Sequence, residues 1–131
     1  MPFNDAMCDA VVELKPAVVS FHFGLPAKSL VERVRATDTR IISSAITVAE
    51  ARWLETEGCD AVIAQGFEAG GHRGMFLAAD TATQVGTLAL VPQIVDAVKI
   101  PVRSQPSWER ASQLNAYGVD SASSSMATWV R

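Results

Sequence analysis

The stretch Asp60-Ala61-Val62-Ile63-Ala64-Gln65-Gly66-Phe67-Glu68-Ala69-Gly70-Gly71-His72-Arg73-Gly74 decides how this chain reads. Its first part is a run of small and β-branched apolar residues without polar alternation. That is the pattern of a strand covered on both faces. Its second part holds four of the chain's eight glycines: Gly66, Gly70, Gly71 and Gly74. A glycine-rich turn at the C-terminal end of a buried parallel strand is where α/β proteins bind ligands. Glycine there lets backbone N–H groups approach an anion or phosphate closely.

Working outward, the same strand-then-helix unit recurs. Residues 17–23 are β-branched and aromatic and end at Gly24 and Pro26, which reads as a strand. Lys28 to Ala36 carries Leu30, Val31 and Val34 at helical spacing. Residues 40–45 read as a second strand. Thr47 with Glu50 three residues on makes a capping box for a helix over 48–57, and Gly58 ends it. After the glycine-rich turn, Leu88 to Val98 reads as a helix with Pro92 expected in its first turn. A fourth strand starts over Lys99-Ile100-Pro101-Val102. Strands alternating with helices of about ten residues imply parallel βαβ units.

Composition narrows the class. The chain has 131 residues, 49% hydrophobic and 19% charged, which excludes a disordered chain. Eleven basic and 14 acidic residues give a net charge of −3 with no basic stripe. That argues against nucleic acid and anionic membrane as partners. No apolar run is long enough for a membrane span. The N-terminus lacks a signal-peptide layout. Cys8 and Cys59 have no CxxC spacing and read as reduced buried thiols, so the expected location is cytoplasmic. No residue set has metal-ligand spacing. The glycine turn is neither a P-loop nor GxGxxG.

Within that turn, His72 stands among glycines with Glu68 and Arg73 beside it. An imidazole there can take a proton or hold a developing anion. His22 lies between Phe21 and Phe23 and reads equally as a satisfied core histidine or a ligand contact. Ser43 and Ser44, near the end of the second strand, suit either tight packing or contact with a phosphate or ring edge. A plain chain-reversing turn remains the alternative for the glycine segment.

Three stretches then carry a family resemblance. Val18-Val19-Ser20-Phe21-His22-Phe23-Gly24, the segment Ala64 to Gly74, and Gln84-Val85-Gly86-Thr87 with Leu90-Val91-Pro92 resemble the nitronate monooxygenase family, formerly 2-nitropropane dioxygenases. The match runs from Pro2 to Val102. Glu68 to Gly74, EAGGHRG, is its most specific part and recurs in variant form in flavin-dependent enoyl reductases. The resemblance implies an FMN-dependent oxidoreductase on a TIM (β/α)8 barrel. It implies that His72 is the catalytic base or hydrogen-bonding group, and that Gln65, Gly70, Gly71 and Ser44 contact the flavin. The implied reaction joins a nitronate or nitroalkane and O2 to give a carbonyl compound and nitrite. An enoyl-thioester reductase of the same superfamily is the alternative, and a non-enzymatic remnant a third.

The departures shape the expected fold. A complete barrel takes about 250 residues, and this chain has 131. The family's first strand with its QAPM-type segment is missing. The diglycine turn after the fourth strand is replaced by Arg103-Ser104-Gln105-Pro106-Ser107. The expected architecture is therefore α/β, with parallel βα units forming about half of a TIM barrel. Residues 1–102 would be the partial FMN-binding barrel and 103–131 a divergent serine-rich tail, with a helix expected over 108–116. Four parallel strands cannot close, so both sheet edges are expected to lie open, with homo-oligomerisation one way to cover them.

Overall fold

The β-branched runs form strands and the amphipathic segments between them form helices, as local pattern dictates. The structure is a computed structural model that describes residues 3–69, 72–105 and 128–130. Its regular elements are α1 (Asp5–Leu14), β1 (Val18–Phe21), α2 (Lys28–Arg35), β2 (Arg40–Ala45), α3 (Val48–Thr56), β3 (Ala61–Gln65), α4 (Thr87–Ala97), β4 (Val102–Gln105) and β5 (Thr128–Val130), with a 3-10 turn at Thr81–Thr83 before α4. They build one sheet in the order β1-β2-β3-β4-β5.

The first four strands are parallel. Val19 pairs with Ile41, Ser43 with Val62 and Ala64 with Ser104. Strand periodicity divides their side chains between two faces. Phe21, Ile41, Ala45, Val62, Ala64 and Val102 join Leu30, Val31, Val34, Ala51, Leu54, Leu90, Val91 and Ile94 of the helices in one apolar cluster. The helices therefore pack against one face. His22, Ile42, Ser44, Ile63, Gln65 and Arg103 alternate with those residues and take the other face, which corresponds to a barrel's lumen. Val34, Ile41, Leu54, Val62 and Ile94 have no solvent exposure. Burying each such side chain contributes about 1.5–3 kcal/mol.

The helix ends follow their sequence signals. Thr47 Oγ1 accepts from Glu50 N at 3.1 Å, and Gly58 adopts φ +90 behind α3. In α4, Pro92 lies well inside the helix, not in its first turn. It therefore removes the hydrogen bond that Leu88 C=O would accept. The periodicity reading assigns nothing to 5–14, and the structure shows a helix there. Asn4 caps it by accepting from Met7 N at 3.0 Å, Cys8 is fully buried, and Arg33 of α2 pairs with Asp5 and Asp9.

The far edge corrects another expectation. β4 runs past residue 102 to Gln105 and is paired antiparallel by β5, with Val102 opposite Val130 and Ser104 opposite Thr128. The edge of β4 is thus covered by the chain's own tail. An antiparallel neighbour also departs from the all-parallel order of a complete barrel. The helix expected over 108–116 lies outside the described residues. Cys8 and Cys59 are both buried free thiols.

Candidate functional site

The site is built where three strands end together. Phe21, the last residue of β1, pairs with Ser43, and Ala45 pairs with Ala64. His22, Ser44 and Gln65 consequently lie on adjacent strands near their C-terminal ends, all on the lumen face. Ser44 Oγ and His22 Nδ1 are 3.1 Å apart. Ser44 and Gln65 are buried and His22 is exposed. The chain turns sharply after His22, with φ +62 at Phe23 and +85 at Gly24. A left-handed conformation at a bulky residue such as Phe23 is strained, and such strain collects at functional sites.

The glycine-bearing segment then folds back over this row. A Cβ at Gly74 would stand 3.0 Å from Ser44 Cβ, 3.3 Å from Gln65 Oε1 and 3.7 Å from His22 Nδ1. The segment must be side-chain-free there to lie so close. Gln65 holds it from below: its Nε2 donates to His72 O at 2.8 Å, and its Oε1 accepts from Gly74 N at 2.7 Å. Arg73 Nη1 donates to Ala69 O at 2.8 Å, and its guanidinium lies 5.6 Å from the Phe67 ring centroid. Glu68 Oε2 accepts from Thr87 N at 2.9 Å, placing a carboxylate at the positive N-terminus of α4. His72 has its backbone fixed and its side chain exposed.

Five of the candidate residues read from the sequence can be compared with this geometry. Ser44, Gln65 and the His72 backbone are brought together, and His22 joins them through Ser44. Ser43 turns to the helix side and donates to Phe21 O at 3.0 Å, so it is a packing residue. Gly70 and Gly71 lie outside the described residues. Sequence pattern missed Glu50, whose buried carboxylate reaches the segment beyond Gly74; only its capping-box position hinted at it.

Three buried polar atoms near the strand ends, Gln84 Oε1, Thr87 Oγ1 and Ser104 Oγ, lack a hydrogen-bond partner among the described residues. All three gather around residues 64–66. Gln84 Nε2 donates to Gln65 O at 3.5 Å, a Cβ at Gly66 would meet Thr87 Oγ1 at 2.1 Å, and Ser104 pairs with Ala64. Buried polar atoms without partners are costly, and Ser104 shares the helix face with its partner Ala64, apart from the row of His22, Ser44 and Gln65.

The family model for nitronate monooxygenase matches residues 4–105. The chain belongs to the nitronate monooxygenase family. It is 46% identical over 104 residues to a probable nitronate monooxygenase of Staphylococcus saprophyticus, covering 76% of this chain and 28% of that protein. A Staphylococcus aureus relative of the same description is 46% identical over 95 residues. The chain thus spans a little over a quarter of the length of these relatives. Among solved structures, a nitroalkane oxidase from Streptomyces ansochromogenes superposes with a TM-score of 0.70 and 43% identity, covering 75% of this chain and 29% of that one. FabK from Thermotoga maritima superposes with a TM-score of 0.61 and 32% identity over 78% and 30% of the two chains. These likenesses identify the parallel βα units as part of a (β/α) barrel.

Proposed function

We propose that this chain carries the central, histidine-bearing part of a flavin-dependent enzyme that oxidises nitronates with O2 to a carbonyl compound and nitrite. The observation that supports it is the stacking of the His72 segment on His22, Ser44 and Gln65 at the strands' C-terminal ends. This is the face where parallel barrels carry their chemistry.

In this reading Ser44, Gln65, Gly70 and Gly71 border the flavin mononucleotide. Bound there, the flavin supplies the electron transfer to and from substrate and O2. His72 takes the acidic carbon proton of a nitroalkane on its imidazole, or donates a hydrogen bond to a nitronate oxygen. Its exposed ring on a fixed backbone suits both roles. The amide of Gln65 keeps the segment seated while that proton moves. The substrate is a small nitronate or nitroalkane together with O2, and the site requires neither nucleic acid nor membrane. Among the described residues no helix is long and apolar enough to cross a membrane.

The test is to load the chain with FMN and follow flavin absorbance with a nitronate and O2. A yellow, flavin-retaining protein that releases nitrite is expected. A chain that stays colourless on reconstitution refutes the reading. FabK supports a second reading, reduction of an enoyl thioester, because it superposes over a similar share of this chain. Rapid bleaching of the bound flavin by NADPH, with none by nitronate, would select it. The higher identity to the nitroalkane oxidase favours the first.

A further inference from the structure

We propose that Glu50 is a positioning residue for His72, one carboxylate serving at once as a helix cap and as the anchor of the His72 segment. The proposal rests on the reading of His72 given above, and its geometry is independent of that reading.

Glu50 sits in the first turn of α3 with no solvent exposure. A buried carboxylate is tolerated only when its oxygens are satisfied. Here backbone N–H groups satisfy them. Oε2 accepts from Ile46 N at 2.8 Å, one residue before the Thr47 cap of α3. Oε1 turns the other way and accepts from Phe76 N at 2.9 Å, Leu77 N at 3.0 Å and Ala78 N at 3.4 Å. Three successive amides converging on one oxygen fix the path of that backbone.

The side chains reinforce the same anchor. Trp53 lies one turn after Glu50 on α3, and its ring centroid is 5.1 Å from that of Phe76. A Cβ at Gly24 would meet the Phe76 ring at 3.1 Å, so this ring is held between α3 and the turn after β1. α3 therefore grips Phe76 by its N–H and by its ring. On the other side of Met75, Gln65 holds Gly74 N and His72 O. The segment from His72 to Ala78 is thus pinned at both ends by buried polar side chains from different elements. Gln65 holds His72 by its backbone carbonyl, and the residue's side chain is exposed. Releasing the Glu50 pin would leave only Gln65 and the Arg73 bond to Ala69 O to set where the imidazole stands.

The experiment is amide hydrogen exchange on the chain itself, together with the ring signals of its two histidines. In the unaltered chain the amides of Phe76, Leu77 and Ala78 are expected to be protected despite lying in a loop. Exchange at free-peptide rates would overturn the proposal without any variant. In Glu50→Gln an NH2 donor enters a site built to accept, and these amides are expected to exchange about tenfold faster or more. The His72 ring signal should shift and broaden. Thr47→Ala is the control, because it weakens the α3 cap without touching the segment. Equal exchange at 76–78 in the two variants, or an unmoved His72 signal in Glu50→Gln, would reduce Glu50 to a helix cap. If Glu50→Gln does not fold, Glu50→Asp is read instead. It keeps the charge beside Ile46 N but falls one methylene short of the segment, so the same loss of protection is expected. Where the loaded chain turns over nitronate, Glu50→Gln should lower kcat about tenfold with KM nearly unchanged. A chain with protected amides and no flavin chemistry would refute the proposed function and leave the anchor standing.

Discussion

The layer between sheet and helices and the segment that crosses the strand ends are held together by opposite means. In the layer, Ile41, Leu54, Val62, Leu90 and Ile94 are buried against one another, and the fold there is a matter of apolar area. The segment buries little of that kind: Phe67 is 62% exposed and Leu77 51%. Gln65, Glu50, Glu68 and Arg73 hold it by hydrogen bonds to its backbone or to the helix that follows. Apolar packing is non-directional and tolerates substitution. Hydrogen bonds from buried side chains fix a path but fail when one partner changes. The chain has placed its candidate chemistry on the directional part and its stability on the other.

The largest expected effect breaks the segment's function and leaves the layer intact. His72→Ala should lower nitronate turnover on the order of 10²-fold or more, the usual contribution of a positioned acid or base. Flavin absorbance and thermal midpoint should stay near those of the parent chain. Loss of flavin together with activity would make His72 a cofactor residue and not a base.

Stability should show the reverse asymmetry. Leu54→Ala, at a site with no exposure, is expected to cost about 2–5 kcal/mol in denaturant unfolding. Leu77→Ala, in the segment, should stay within about 0.5 kcal/mol. Similar costs at the two positions would mean that the segment shares the apolar core. Gly66 is the joint between the two regions. A Cβ there would stand 2.3 Å from Thr87 N and 2.5 Å from Thr87 Cα, both backbone atoms. Gly66→Ala should therefore cost about 1–3 kcal/mol through displacement of α4. An unchanged midpoint would show that α4 shifts freely.

The same contrast explains what could be read from sequence. Apolar periodicity located β2 and the helices around Leu30, Leu54 and Ile94, because burial leaves a periodic trace. Glycine density and His72 marked the segment, because its close approach to Ser44 requires residues such as Gly74. Pattern could not show that Glu50 turns one oxygen away from its own helix, since a capping box looks the same whether or not a distant loop uses it. Nor could it show the helix at 5–14, where Cys8 is the sole fully buried residue. The antiparallel β5 was equally hidden, since pairing direction is set by where the tail can reach and not by its local composition.

The smallest effect concerns a titratable group of the layer. Burial, with the adjacent Asp60 charge adding to it, pushes the Cys59 thiol from its ordinary 9.0 up to about 12. Only the charged thiolate attacks disulfide and alkylating reagents. Cys59 should therefore stay unmodified in the native chain at pH 8 and react on unfolding. The sign of the pH dependence follows. A native thiol that holds its proton above the unfolded value makes the unfolded chain the better acid. Its contribution to stability is complete below pH 9.0 and is lost as pH rises toward 12. Cys59→Ala should flatten that alkaline decline in denaturant titrations, while Leu77→Ala should leave its slope unchanged. An alkaline decline that survives Cys59→Ala would assign it to other groups, and rapid modification of native Cys59 at pH 8 would show that the layer opens as readily as the segment above it.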